Sequence, residues 1–176
     1  MSSDPDWIIH LRRIESLRVA CAHSSSETPE EDAWKKIESW AKTIGLLSQE
    51  KGIKAFGRNT YPTDNPTPHG YQLFLTIDQS IKPEDEIKIG EIPGGTYAVL
   101  SSTSLDRIGD AWRSLWSWIE KSEYEFIGWK KGEYGWVNGY EEHLNPFDDK
   151  PIFEWIFDLW IPLKEKVYKP VDLETD

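Results

Sequence analysis

Asp32-Ala33-Trp34, followed by Ser39-Trp40, returns in the second half of the chain as Asp110-Ala111-Trp112, followed by Ser117-Trp118. Both tryptophan pairs stand 78 positions apart (112 − 34 and 118 − 40). With no gap introduced, Ile14 matches Ile92, Ala20 matches Ala98, Ser24 matches Ser102 and Ser26 matches Ser104. Lys35/Arg113 and Ile37/Leu115 are conservative exchanges. A tripeptide recurs easily by chance, but one that recurs with its flanking residues in phase reads as an internal duplication. The copies are expected over about 8–80 and 86–165, making one domain of 1–165 with a charged tail at 166–176.

Working outward, each motif sits on an amphipathic helix. The first opens at Thr28-Pro29-Glu30-Glu31, where a Thr cap, Pro at the first helical position and early acids suit a helix start. Trp34, Ile37, Ala41 and Ile44 then recur at helical spacing, with the end expected near Gly45 unless Leu46 and Leu47 extend the helix. The second runs from about Ser104 to Lys121, capped by Thr103 or Ser104, with the stripe Ile108, Trp112, Leu115 and Ile119. Strands flank both helices. Leu17, Val19 and Cys21 alternate with Arg18, Ala20 and Ala22, and Tyr71, Leu73, Leu75 and Ile77 with Gln72, Phe74 and Thr76. Ile87 and Ile89 lead into the Pro93-Gly94-Gly95 turn and the strand Tyr97–Leu100. Near the end, Trp155, Phe157, Leu159 and Ile161 face one way, and Ile156, Asp158 and Trp160 the other. Segment 57–70, rich in Pro and Gly, is expected to be a turn or loop, and 128–151, rich in Gly and aromatics, a loop that packs.

The order strand, helix, strand thus occurs twice, which gives an α+β fold with two helices packed on an antiparallel sheet and pseudo-two-fold symmetry. A ligand cleft is expected where the halves meet, because interfaces between similar lobes form concave sites.

Composition narrows the partners. The 176 residues (20.4 kDa) carry 20 Lys+Arg against 31 Asp+Glu, a net charge of −11 and a pI of about 4.8. That field repels a phosphate backbone, so direct nucleic-acid binding is not expected and a cationic partner is favoured. Cys21 is the only cysteine, which rules out an internal disulfide and a cysteine-rich zinc site. The polar, acidic start Met1-Ser2-Ser3-Asp4-Pro5-Asp6 does not read as a signal peptide, and no apolar run reaches the roughly 18 residues of a membrane span, so a cytoplasmic setting is expected. His10, His23, His69 and His143 lack metal-ligand spacing, and Gly94-Gly95 lacks the pattern of a phosphate loop, so neither metal nor cofactor is expected.

The stretch Ile92-Pro93-Gly94-Gly95-Thr96-Tyr97-Ala98-Val99, the helix bearing Ala111-Trp112, and the ending Asp158-Leu159-Trp160-Ile161-Pro162-Leu163-Lys164 resemble the GyrI-like small-molecule-binding family. That family includes effector-binding domains of AraC- and MerR-type regulators as well as stand-alone and integron-cassette proteins. The resemblance extends over roughly 8–165. It implies duplicated strand–helix–strand–strand modules and a cleft that takes lipophilic, often cationic, aromatic compounds. It also implies a Glu two residues before a Tyr ahead of the final strand; here Glu141 holds the Glu position and His143 replaces the Tyr, with Glu142 adjacent. The acidic and aromatic positions of the final strand fall on Asp158 and Trp160.

Asp158 and Trp160 lie two apart on a strand and share a face. A carboxylate beside an indole suits a flat cation, the ring contributing about 0.5–2 kcal/mol. Glu141 adds a second charge; two acids in an apolar cleft raise one another's pKa, and a cation relieves that cost. Trp40 and Trp118 are equivalent by the repeat and join the ligand-binding candidates, with Tyr71 and Trp116. One repeated tryptophan pair faces the sheet and the other lines the seam, and the sequence does not say which. Trp129, Trp136 and Tyr140 form a candidate lid. The expected function is a stand-alone binder of bulky aromatic, often cationic molecules. One competing reading is a hydrolase of cyclopropane-bearing aromatic toxins in which Glu141 or Asp158 activates water. Another is a protein-interaction module whose partner is a regulator or gyrase.

Overall fold

In the computed structural model the described residues are 7–46, 52–62, 69–82, 86–147, 150–151 and 154–166. The first half contributes β1 (Ile9–Ile14), β2 (Leu17–Ser24), α1 (Pro29–Thr43), β3 (Ala55–Thr60) and β4 (Gly70–Thr76). The second contributes β5 (Lys88–Ile92), β6 (Gly95–Ser104), α2 (Ile108–Lys121), β7 (Tyr124–Phe126), β8 (Lys130–Gly132), β9 (Gly135–Val137), β10 (Tyr140–His143) and β11 (Ile156–Glu165). The main sheet is antiparallel in the order β1-β6-β11-β10-β3-β4-β2-β5, with β7 on the far end of β11 and β8–β9 as a separate hairpin.

Both helices lie on one face of this sheet. Small residues on the inner strands let them approach: α1 sets Ala33, Trp34, Ile37 and Ala41 against Ala20, Ala22, Leu73 and Leu75, and α2 sets Ala111, Leu115 and Ile119 against Ala98, Leu100, Leu159 and Ile161. Each large side chain so buried contributes about 1.5–3 kcal/mol. The opposite parity of the same strands builds an aromatic core on the other face from Val19, Cys21, Phe56, Phe74, Tyr97, Tyr140 and Trp160. Strands buried on both faces read as apolar throughout, which is why Val19–Ala22 shows no polar alternation.

The helix starts differ from expectation. Thr28 flanks α1 without a side-chain cap; its hydroxyl donates to Asp32 (3.4 Å), and Pro29 with the acids Glu30, Glu31 and Asp32 supplies the favourable first turn. Gly45, at φ +69°, closes the helix as predicted, its N–H bonding the Lys42 carbonyl. Ser104 precedes a 3-10 turn over Leu105–Arg107, and α2 itself begins only at Ile108. Residues 57–60 belong to β3 rather than to a loop, and the segment expected to be one packed loop carries β8, β9 and β10. Of the expected tail, Lys166 bonds the carbonyls of Ser122 and Glu123 through its Nζ and backbone N–H; 167–176 lie outside the described residues.

The two faces of β11 are those predicted, but Asp158 has structural work there. Between Leu100 and Thr103, β6 carries one more residue than the facing Phe157–Leu159 segment, and the surplus is accommodated by Ser102 at φ +62°. Asp158 accepts the Ser102 N–H at 2.9 Å and so holds the bulge. We expect Asp158→Ala to lower unfolding free energy by about 0.5–1.5 kcal/mol in urea titrations, since water can reach the exposed Ser102 N–H; an unchanged midpoint would show that the bulge holds without the carboxylate.

Candidate functional site

At the centre of the sheet the two halves meet in three residue pairs, Glu141 with Gly57, Glu142 with Phe56 and His143 with Ala55. Alternation sends Glu141 and His143 to the helix face and Tyr140 and Glu142 to the other. Above the seam Glu141 accepts the Tyr71 hydroxyl at 3.1 Å, and Trp112 from α2 donates its indole N–H to it. Tyr71 Oη also lies 3.2 Å from His143 Nε2. Trp34 from α1 sets its ring edge-on to His143 at 5.2 Å, beside Trp155. Each helix therefore brings its Asp-Ala-Trp tryptophan to this place, Trp34 as part of the α1 core and Trp112 packed against the α2 core.

Glycines make this approach possible. A Cβ on Gly57 would fall 2.0 Å from Tyr71 Oη, so the tyrosine reaches Glu141 only by crossing a bare backbone. A Cβ on Gly139 would meet the Trp160 carbonyl at 2.5 Å and the Trp112 ring at 3.5 Å.

The electrostatics follow from burial. Glu141 keeps some accessible surface, yet surrounding atoms strip its carboxyl of water and raise its pKa from 4.5 to about 7. The hydrogen bonds from Tyr71 and Trp112 and the charge of His69 oppose the rise, and Glu30 adds to it. Glu30 and His69 pair at 2.7 Å. Burial lowers His143 to about 3, so its imidazole is neutral, and raises the Tyr71 phenol well above its ordinary value. Trp34 Nε1 is buried and has no hydrogen-bond partner among the described residues, which costs on the order of 1–3 kcal/mol until an acceptor arrives.

The other predicted site residues divide. Tyr71 stands in the site with Glu141. Asp158 and Trp160 lie on the opposite face and do not meet Glu141: Trp160 is 2% exposed in the aromatic core, and its indole N–H bonds Glu142 at 3.1 Å. Glu142 is held there too, with Lys54 at 3.6 Å. Tyr140 belongs to that same core rather than to a lid. Trp40 packs on the α1 core, while Trp116 and Trp118 pack on the α2 core, Trp116 edge-on to Phe126 at 5.0 Å. Spacing left open whether Trp34 and Trp112 or Trp40 and Trp118 line the seam, and it did not single out Trp155. For the first two the signal was present in the exact recurrence of Asp-Ala-Trp.

With the geometry established, the profile of the GyrI-like small-molecule-binding domain matches residues 12–164. The chain belongs to this family. Among solved structures, the EcmrR C-terminal domain superposes with a TM-score of 0.63 at 15% identity, covering 92% of this chain and 100% of that one. An uncharacterized conserved protein from Listeria innocua gives 0.66 at 7% identity, over 89% of this chain and 92% of that one. A hydrolase from Listeria innocua gives 0.63 at 6% identity, over 89% and 91% respectively. These likenesses establish the α+β fold. In its DNA complex the EcmrR chain is longer, and this chain spans 58% of it. No curated protein sequence matches the chain. Among the described residues no helix is long and apolar enough to cross a membrane.

The raised Glu141 pKa carries a sign. The folded state holds this proton more tightly than the unfolded chain does, so the stability Glu141 contributes is fully present below about pH 4.5 and is lost as pH rises towards 7. Glutamine removes that loss. Glu141→Gln is expected to match the parent near pH 4 and to exceed it above pH 7 by up to about 3 kcal/mol, at about 1.4 kcal/mol per pH unit. Urea unfolding across pH 4–8 measures the difference, and a constant offset would contradict it.

Proposed function

We propose that this GyrI-like domain captures flat, lipophilic organic cations in a recess between its two helices, with Glu141 as counter-ion and Trp34 and Trp112 as aromatic walls. The observation that carries this reading is the Glu141 carboxyl, desolvated yet still reachable and already held by two neutral donors. A cation arriving there supplies the charge that water no longer does, and indole faces add cation–π attraction of about 0.5–2 kcal/mol. A ligand that also presents a hydrogen-bond acceptor satisfies Trp34 Nε1. The family's description as small-molecule binders supports the assignment.

We further infer that the site arose by duplication, with copies near 8–80 and 86–165. The strand order reads identically from either end when β1 is exchanged with β5, β2 with β6, β3 with β10 and β4 with β11. Trp34 and Trp112 then come to the seam from equivalent helices.

One observation favours a second reading. A carboxylate near pKa 7 is matched to general-base work at neutral pH. In that reading Glu141 takes a proton from water as the oxygen bonds to a cyclopropane carbon of a bound aromatic toxin; the C–C bond broken there passes its electron pair into the conjugated system, which takes the proton back from Glu141. Turnover beyond one equivalent per protein, lost in Glu141→Gln with binding retained, would establish it.

Intrinsic tryptophan quenching by ethidium, compared with a neutral polycyclic dye, tests the binding reading. Ethidium affinity is expected to weaken about tenfold per pH unit below pH 7 and to level off above it. Glu141→Gln is expected to remove that dependence and to cost ten- to hundredfold at pH 8. Equal affinity for both dyes, insensitive to pH, would reject the counter-ion role.

A further inference from the structure

The helix-free face of the sheet carries a cavity of its own. A groove of about 360 Å³ lies between the Pro93–Thr96 turn, strand β8 and β3, floored by Tyr97 and Tyr140. Its charged lining is Arg58, Lys130 and Lys131 against Glu91, a local excess of cations in a chain of net charge −11.

Arg58 is the built element. Its guanidinium lies over Phe74 at 5.2 Å and over Tyr140 at 5.1 Å. Nε and Nη2 donate to the Gln72 side-chain carbonyl at 3.1 and 3.0 Å, and Nη1 donates to the Tyr140 hydroxyl at 3.2 Å. All of these partners are neutral, and among the described residues no carboxylate pairs with Arg58, Lys130 or Lys131. A guanidinium has five N–H groups, so one hydrogen on each terminal nitrogen remains free. A half-buried, immobilised charge with neutral partners and two spare donors is incomplete, because partly buried charge is costly unless an opposite charge meets it. A carboxylate accepts such a pair of N–H groups side by side.

We propose that this groove binds an aromatic carboxylate, its ring on Tyr97 and Tyr140 and its carboxylate on Arg58, with Lys130 and Lys131 closing over it. The site is separate from the cation recess: Phe56, Arg58 and Thr60 project from one face of β3, and Gly57, which pairs with Glu141, from the other. At about 360 Å³ the groove falls within the range of small-ligand pockets. The assignment stands whether or not Glu141 binds cations.

Calorimetric titration of the full chain with 1-naphthoate and with 1-naphthamide tests it. The naphthoate is expected to bind at least tenfold more tightly than the amide, equally well in the parent and in Glu141→Gln, and to remain bound when ethidium is added. Arg58→Met is expected to lose tenfold or more. Should that variant misfold, the double change Lys130→Glu with Lys131→Glu, on exposed hairpin residues, is expected to weaken naphthoate at least fivefold and leave ethidium binding unchanged. Equal affinity for acid and amide, an undiminished response in a folded Arg58→Met or in the lysine variant, or displacement by ethidium would overturn the proposal.

Discussion

Everything specific about this domain depends on the parity of three residue pairs where β10 meets β3. Because Glu141 faces Gly57 across that ladder, its carboxyl emerges between the helices. Because Glu142 is the next residue, its carboxyl emerges on the far side, where Lys54 and Trp160 neutralise and bond it. A slip of one residue would exchange the two acids and put the desolvated group into the aromatic core. Gly57 enforces the arrangement from the partner strand, since any side chain there would push Tyr71 away from Glu141.

The two faces that result have opposite electrostatic characters. Between the helices the titratable groups around Glu141 among the described residues are Glu30, Tyr71 and His69, with His143 held neutral by burial. On the far face Arg12 stacks on Trp160 at 5.0 Å and Arg58 on Phe74 and Tyr140, and Lys54 reaches Glu142. A chain this acidic overall still concentrates cations on one side of a single sheet. Global charge therefore does not specify the sign of any one pocket.

How much of this was legible in the sequence follows from the same parity. Periodicity located both helices and the long strands because it reports burial directly: Ile37, Ala41, Leu115 and Ile119 fall where the stripes put them. It also assigned the two faces of β11 correctly. What it lacked was the relation between β11 and β10. Asp158 and Trp160 do share a face, but that face is set against Glu142 and not Glu141, and only strand pairing fixes such a match. Asp158 looked like a ligand acid because nothing local reveals an extra residue in β6, 56 positions away, that needs its carboxylate. Short strands such as β8 and β9 escaped because three residues give alternation no room to show.

The Tyr71–His143 contact bears on how the site answers a ligand's charge. Tyr71 has one hydroxyl proton and two neighbours that can take it, Glu141 and His143. When Glu141 is ionised the proton belongs on the Glu141 side, and neutral His143 must then donate its own Nε2–H to the tyrosine oxygen. When Glu141 is protonated the chain can reverse, with the carboxyl donating to Tyr71 and Tyr71 donating to an unprotonated Nε2. The first arrangement satisfies all three groups, and the second requires the His143 proton to sit on Nδ1. Burial raises the Glu141 pKa to about 7, so a cationic ligand favours the arrangement with the carboxyl ionised and a neutral one the arrangement with it protonated.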